Sequence, residues 1–445
     1  MFVGRKQELD ELNKRFLGRK KEFGVIYGRR RIGKSYLINE FLKDKKSLFY
    51  QAKEDSKFGN LKSLSYEIDK LIGLPNTFVF ESYESAIDAL IEHTKEERFV
   101  FAIDEYPYII KQDPSFPSVL QNIIDKAPNN IFFLISGSDI SMLKNEIENH
   151  NSPLYKRRTF EMEIKKLKYK ESLEYLTGIS NEDKVHFLSL TSTYPYYLSA
   201  FDFSKSFEDN VKDLLFNPYG IFFSLPDQLL SNSTKTQDIY NSILYAVSKR
   251  KRTIKDIAGY ISLLLSQELL DKRETYMGNK KTTYYEIGDP MLKFWYMFIF
   301  DNLEKIKING LLVFNSLKNE INNFVNFGFE DISRLFMDEL NMDGKLGDIY
   351  NPFKPYKVEK SILNRSVEID GLSDNGNTLI VMECKYRNTK FSLNMLNHLV
   401  ESASVFPSKL KREYYLFSKS GFTSDLIDLN MDNIHLYTLD DLFNI

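Results

Sequence analysis

The stretch that most constrains this chain is GVIYGRRRIGKSYLINEFLK, residues 24–43. Gly28 is followed, five residues on, by Gly33-Lys34-Ser35, the spacing G-x-x-x-x-G-K-[ST] of a phosphate-binding loop. The apolar run GVIY predicts a buried strand entering Gly28. Leu37 with Phe41, and Ile38 with Leu42, predict a helix leaving Ser35. A strand, a glycine-bounded loop and a helix in that order let backbone N–H groups turn toward phosphate, with the helix N-terminus adding partial positive charge. The predicted cradle is Gly28, Arg29, Arg30, Arg31, Ile32, Gly33, Lys34, Ser35 and Tyr36. Lys34 is expected to reach the β- and γ-phosphates of ATP, and the Ser35 hydroxyl to ligate Mg²⁺.

A second element supports the first. RFVFAIDEYPYII (98–110) is an apolar run that delivers Asp104 and Glu105 at its end. Beside a phosphate loop this is the Walker B pattern: Asp104 would hold Mg²⁺ through water, and Glu105 would polarise the attacking water. NIFFLISGSD (130–139) predicts another buried strand ending in polar residues. Ser136 or Ser138 would then sense the γ-phosphate, with Ser138 the assigned candidate, because parallel strands bring their C-terminal ends to one edge of the sheet. SLFYQA (47–52) and TFEMEI (159–164) are further candidate strands. Helical segments alternate with them, so the expected fold class is multidomain α/β built on a parallel sheet.

The 445 residues predict two to four domains. A net charge of −2 excludes a uniformly basic nucleic-acid or membrane binder, although local basic patches remain compatible with it. One cysteine, Cys384, excludes a disulfide framework and fits a reducing, cytoplasmic compartment. The N-terminus is charged from the start, and the greasiest run, FWYMFIF (294–300), is too short to span a bilayer, so no membrane partner is expected. The five histidines show no paired zinc-ligand spacing.

Residues 166–232 read as helices. From 237 onward, helical patterning (Ile239, Ile243, Val247) precedes a predicted hairpin turning at GNKK (278–281), an order that suggests a winged helix. KRKR at 249–252 invites a DNA-binding reading. The segment between IAGY and LLSQELL is shorter than usual, which abbreviates the recognition helix, so a packing and protein-interaction module is preferred. FWYMFIF reads as core. NFVNFGFEDISRLFMDEL (323–340) predicts an amphipathic helix carrying Glu330. SVEID and TLIVMECKY flank the tight turn signal DNGN (374–377), which places Asp370 on one strand and Glu383 and Lys385 on its antiparallel neighbour. Asp-x₁₂-Glu-x-Lys is the pattern of the PD-(D/E)xK nuclease fold. Asp370 and Glu383, with Glu330, would hold Mg²⁺ through oxygens, and Lys385 would orient or deprotonate the water. Cys384 lies on the opposite face as a strand filler.

FVGR (2–5), YGRRRIGKS (27–35), IDE (103–105), SGS (136–138) and SPLYKRRT (152–159) together resemble the archaeal-type P-loop ATPases of the AAA+/STAND-like group. The resemblance makes the arginine-rich loop a family mark. It places FVGR beside the adenine and implies that Arg157 or Arg158 contacts the γ-phosphate, with Arg157 the assigned candidate. Family members usually carry Tyr-Gly-Arg where this chain has Tyr155-Lys156-Arg157, and Gly-Gly-x-Pro where it has Ser192-Thr193-Tyr194-Pro195. The family's Tyr-x-Ile-x-Asp-Pro-x-x-x-Phe-Trp-Tyr run matches Tyr285, Ile287, Asp289, Pro290, Phe294, Trp295 and Tyr296. The resemblance implies an ATPase core at 1–165, a helical small domain at 166–232, a winged helix at 233–300, a helical connector at 301–320 and a nuclease-like α/β domain at 321–445. The implied function is an ATP-driven switch fused to a nuclease-like effector. The alternative is an ATP-dependent DNA-binding or regulatory adaptor whose C-terminal fold is catalytically silent. DNA or RNA, a partner protein and further copies of the chain are the expected partners beside ATP.

Overall fold

A computed structural model of the chain describes residues 2–73, 79–230, 234–249, 258–273, 284–358 and 361–444. The chain divides into two compact units, Met1–Leu167 and Lys168–Ile445.

In the first unit, helix α1 (Lys6–Leu17) leads into β1 (Glu22–Tyr27), and the phosphate loop connects β1 to α2 (Lys34–Leu42). Then follow β2 (Ser47–Gln51), α3 (Lys57–Ile72), α4 (Tyr83–Thr94), β3 (Phe99–Asp104), α5 (Pro107–Gln112), α6 (Phe116–Lys126), β4 (Ile131–Gly137), α7 (Ile140–Glu148) and β5 (Phe160–Glu163). The five strands form one sheet, ordered β2-β3-β4-β1-β5, with every pairing parallel. Every residue of β1, β3 and β4 is buried. Parallel strands joined by helical crossovers are covered on both faces, which is why these strands read as continuous apolar runs without alternation. Leu48, Tyr50, Leu61, Leu64, Phe101, Ile103, Leu120 and Phe133 belong to one core cluster of this unit. Strands β3, β4 and β1 are consecutive in the sheet, so their C-terminal ends lie side by side. Asp104, Ser136 and the start of the loop are brought together in this way.

The second unit holds the helical segment, a small hairpin and the C-terminal sheet. Helix Asn181–Thr191 keeps polar residues in its first turns and buries Val185, Phe187, Leu188, Ser189, Leu190 and Thr191 further on. That second half must be enclosed by neighbours. It lies against the long helix Lys318–Met342, where Gly328 allows close approach: a Cβ there would stand 2.3 Å from the Ser189 Cβ. The Ser189 hydroxyl donates to the Val325 carbonyl at 3.2 Å across the same crossing. The helical segment and the C-terminal sheet therefore share one compact unit. At Ser192 the backbone takes a positive φ of 46° without a glycine. Three residues on, Pro195 opens a short helix whose Tyr197 donates to the buried Asp289 at 2.5 Å. Asp289 also caps the helix that begins at Pro290, accepting the Leu292 N–H at 2.9 Å. Phe294, Trp295, Tyr296, Phe298 and Ile299 are buried, as expected of core, and the Trp295 indole donates to the Phe223 carbonyl at 2.9 Å.

Helices Thr234–Ser248 and Ala258–Ser266 are followed by β6 (Leu270–Arg273), antiparallel to β7 (Tyr284–Ile287). Residues 250–252 of the basic run and the GNKK turn lie outside the described residues. The C-terminal sheet comprises β8 (Lys354–Val358), β9 (Val367–Asp374), β10 (Thr378–Lys385), β11 (Lys411–Ser418) and β12 (Ile434–Tyr437), ordered β12-β11-β10-β9-β8. Strands β8, β9 and β10 are antiparallel, whereas β10, β11 and β12 are parallel. Helix Leu393–Ala403 supplies the crossover between β10 and β11 and buries Leu396 and Leu399 on the cluster of Val367, Ile369, Leu379, Val381 and Leu416. Among the described residues, no helix is long and apolar enough to cross a membrane.

Candidate functional site

The phosphate loop turns sharply between β1 and α2. Arg31 takes φ 62° and Gly33 φ 95°, both left-handed. Gly28 lies against β5's continuation: a Cβ there would stand 2.3 Å from the Ile164 carbonyl oxygen, so no larger residue fits. Gly33 precedes the first turn of α2, whose axis begins at the loop. Lys34 is 5% exposed and donates to the carbonyls of Gly28 and Arg29 at 2.9 and 3.0 Å. Burial pushes its ammonium below the usual lysine range, opposed by the nearby Glu105 and Asp104 carboxylates. Arg29 and Ile32 are buried, Arg30 donates to the Tyr108 hydroxyl at 2.8 Å, and Arg31 and Tyr36 face outward. Tyr36 is therefore placed to contribute its backbone to the loop, not its ring.

Asp104 is fully buried at the end of β3. One carboxylate oxygen accepts the Ser35 hydroxyl at 2.5 Å, and the other accepts the Ser136 hydroxyl. Glu105 follows in a left-handed conformation, φ 53°, as the chain turns from β3 toward Pro107. The Ser138 hydroxyl donates to its carboxylate at 3.1 Å, and the Ser138 N–H at 3.4 Å. The two serines of the Ser-Gly-Ser stretch thus divide: Ser136 holds Asp104, and Ser138 holds Glu105. β4 ends at Gly137, so Ser136 is fixed within the strand while Ser138 lies just beyond it. Asp104 ends β3 and Glu105 follows in the left-handed turn, and the two serines meet them in that order.

Arg157 is not brought to this site. It sits before β5 and pairs with Asp125 at 3.0 Å, near the C-terminus of α6 and before β4. Residues that precede strands of a parallel sheet lie on the edge opposite the phosphate loop, so the assignment of Arg157 to the γ-phosphate of its own chain is corrected. Arg158 pairs with Glu161 at 2.8 Å and donates to the Ile147 carbonyl at 2.7 Å.

The C-terminal cluster forms at the end of β10, beside the middle of β9. The paired register runs to Met382↔Gly371, so Asp370 and Glu383 are the next residues beyond it on the two strands. Between the pairs Lys354↔Leu372 and Tyr356↔Ile369, β8 has one residue, Pro355, where β9 has two, Asp370 and Gly371. The extra residue is a bulge at Asp370-Gly371, and bulges re-aim side chains at strand ends. The Asp370 carboxylate accepts the Cys384 N–H at 2.7 Å. Lys385 forms an ion pair with Glu383. Arg334, on helix Lys318–Met342, donates to the Asp370 carbonyl and pairs with Asp331. Burial, then the Asp370 charge, pushes Glu330 up to about 8 and Glu383 up to about 7. Asp370 is also raised by burial, against the opposing pull of Lys385. The Asp370 charge thus reaches both Glu330 and Glu383. However, among the described residues no three His, Cys, Asp or Glu side chains converge as a metal-holding group. The expectation of a preformed Glu330–Asp370–Glu383 ligand set is corrected accordingly: Lys385 occupies Glu383, and Glu330 stands on a separate helix. Cys384 is buried and its thiol is pushed up by burial, in keeping with a strand filler.

Sequence patterning did not single out Arg5. It is 4% exposed and donates to the Ile32 carbonyl of the phosphate loop at 3.0 Å. Its one sequence signal was membership of FVGR.

Residues 2–201 match the model of an ATPase domain predominantly from Archaea, and residues 295–396 match that of archaeal and bacterial proteins of unknown function. The chain is 30% identical over 420 residues to the uncharacterised protein MJECL04 of Methanocaldococcus jannaschii, covering 88% of each. It is 48% identical over 46 residues to the uncharacterised ATP-binding protein MJ0423 of the same organism, which is 10% of this chain and 78% of that one. The fold is similar to that of the Walker-type ATPase PABY2304 of Pyrococcus abyssi, with a TM-score of 0.50 at 17% identity, covering 66% of this chain and 96% of that one. A parallel five-stranded sheet carrying the phosphate loop and acid pair, the archaeal ATPase-domain match over residues 2–201 and a relative that matches along 88% of the chain show that this protein belongs to the archaeal-type P-loop ATPases.

Proposed function

We propose that the chain is an ATP-dependent switch in which the first unit binds and hydrolyses ATP and the C-terminal sheet acts as a metal-dependent nuclease-like effector. The observation that carries the nucleotide site is the Ser35–Asp104 contact of 2.5 Å. It brings the last residue of the loop motif and the first acid of the second motif, 69 positions apart, onto one point. A serine hydroxyl and a carboxylate so joined, beside a second acid, form an oxygen-rich donor set that fits Mg²⁺. Bound there, the ion would neutralise charge on the β- and γ-phosphates. The loop N–H groups and the start of α2 bind the phosphates. Lys34, withdrawn from the Gly28 and Arg29 carbonyls, supplies the cation. Ser138 orients Glu105, which takes the proton of the attacking water. Equal ATP affinity in Lys34→Ala, measured by calorimetry, would refute this assignment.

The effector reading rests on Asp370, at the bulge of β9, and on Glu383 and Lys385, at the end of β10. Two buried acids that resist losing both protons suit a divalent cation, which relieves that repulsion. Asp370 and Glu383 would hold it, and Lys385 would orient the water once released from Glu383. The substrate would be DNA or RNA. The hairpin and preceding helices would serve as a winged-helix packing module, and the protein would act in the cytoplasm, alone or as a homo-oligomer with partner proteins. The second reading, a regulatory adaptor with a silent nuclease fold, is favoured by the Lys385–Glu383 ion pair and the unconverged acids. Incubating the purified chain with labelled DNA and RNA in Mg²⁺ or Mn²⁺ separates the two: cleavage abolished by Asp370→Ala supports an enzyme, and intact substrate supports the adaptor.

A further inference from the structure

The segment that leads out of the first unit is laid against the phosphate loop at both of the loop's ends. At the start, the Ile164 N–H donates to the Tyr27 carbonyl at 2.7 Å, and the Ile164 carbonyl abuts Gly28 so closely that no Cβ fits. At the finish, one guanidinium nitrogen of Arg5 donates to both the Ile32 carbonyl, at 3.0 Å, and the Lys165 carbonyl, at 2.5 Å. Arg5 is buried and is oriented by an ion pair with Glu8 at 3.2 Å. Its backbone is left-handed, φ 62°, a strained conformation for a residue with a Cβ. Strain of that kind persists where surrounding contacts over-determine it, and here they include a two-carbonyl clamp. Lys165 stands two residues before Leu167, the last residue of the first unit.

We propose that Arg5 is a positioning residue that couples occupancy of the phosphate loop to residues 164–167, the exit toward the second unit. The proposal rests on the nucleotide-site reading above. The switching element is Lys34. It donates to the Gly28 and Arg29 carbonyls, and a phosphate that claims it must withdraw it from both. Those peptides then re-aim, and Gly28 is the residue in contact with Ile164. A ligand shifts an equilibrium only through interactions that differ between two states, and the two alternatives for Lys34 are such a difference. The Arg5 clamp prevents the far end of the loop from absorbing the change locally, because Ile32 and Lys165 share one donor. The rearrangement is passed to the exit segment.

The test is hydrogen–deuterium exchange on the full chain, with and without Mg²⁺ and a non-hydrolysable ATP analogue. In the wild type, exchange should slow across 28–37 and change severalfold across 163–170. In Arg5→Ala the loop should remain protected while the response of 163–170 is lost. Arg5→Lys should behave the same way, because one ammonium does not reproduce the guanidinium's planar fork. If Arg5→Ala does not fold, Arg5→Lys and Glu8→Gln, which frees the guanidinium from its orienting partner, carry the test. A role confined to stability would lower the melting temperature yet leave the 163–170 response intact. That outcome overturns the proposal, as does a wild-type exit segment that ignores nucleotide while the loop is protected. Failure of nucleotide to protect 28–37 in the wild type overturns the nucleotide-site reading instead, and the coupling with it.

Discussion

Glu105 offers a measurement of backbone strain at the proposed site. Its φ of 53° is left-handed, and for a residue with a Cβ that conformation costs about 1–2 kcal/mol. Replacing Glu105 by alanine removes the carboxylate held by Ser138 but keeps the Cβ, and with it the strain. Replacing it by glycine removes the same carboxylate and releases the strain. Glycine also loses more chain entropy on folding, roughly 0.5–1 kcal/mol relative to alanine. The difference leaves Glu105→Gly more stable than Glu105→Ala by about 0.5–1 kcal/mol, the reverse of the order at ordinary positions. In a unit of this size that is about 2 °C in melting temperature. Differential scanning calorimetry of the two variants without nucleotide measures it. Glu92, exposed on α4, is the control: there the glycine variant should be the less stable by about 1 kcal/mol. Both Glu105 variants should lack ATP turnover. An alanine variant as stable as the glycine variant would show that the left-handed turn stores no strain, and the inference that the turn is kept for the acid's placement would fall.

Glu105→Gln should bind ATP with wild-type affinity and hydrolyse it about 10²–10⁴-fold more slowly, since an amide takes no proton from water; steady-state phosphate release against equilibrium binding checks it. Asp370→Ala should lower Mn²⁺ affinity and any nucleic-acid cleavage while leaving ATP turnover unchanged, measured on one preparation. The Glu383 carboxyl, raised from 4.5 to about 7, binds its proton more tightly in the folded chain. The stability associated with this carboxyl is therefore complete below pH 4.5 and is lost as pH rises through 7, by about 3 kcal/mol. Glu383→Gln should flatten that slope in metal-free urea titrations between pH 4.5 and 8; an unchanged slope would show that the cluster does not titrate in this window.

Much of the first unit was legible in the residues alone. The apolar runs of β1, β3 and β4 became strands because a parallel sheet covered on both faces demands apolar residues at every position, whereas the edge strands β2 and β5 are only partly buried. The loop spacing placed Lys34 and Ser35, since one turn of chain leaves little freedom between a strand and the helix after it. The hairpin over DNGN brought Asp370 and Glu383 onto adjacent strands for the same reason: the turn is short, and the register follows from it. Other features depend on pairings distant in sequence. Arg157 reads as a phosphate contact in its motif, and only the sheet shows that residues before a strand fall on the far edge. Ser136 and Ser138 read alike in the sequence, and only the fold shows that Ser136 meets Asp104 and Ser138 meets Glu105. The bulge at Asp370 changes no letter in the alternation until β8 is paired with β9. The Arg5 clamp unites residues 5, 32 and 165, and no local rule links three positions so far apart. Local steric preference and burial are written residue by residue along the chain. Which donor meets which carbonyl is decided by where the chain returns, and that is a property of the folded whole.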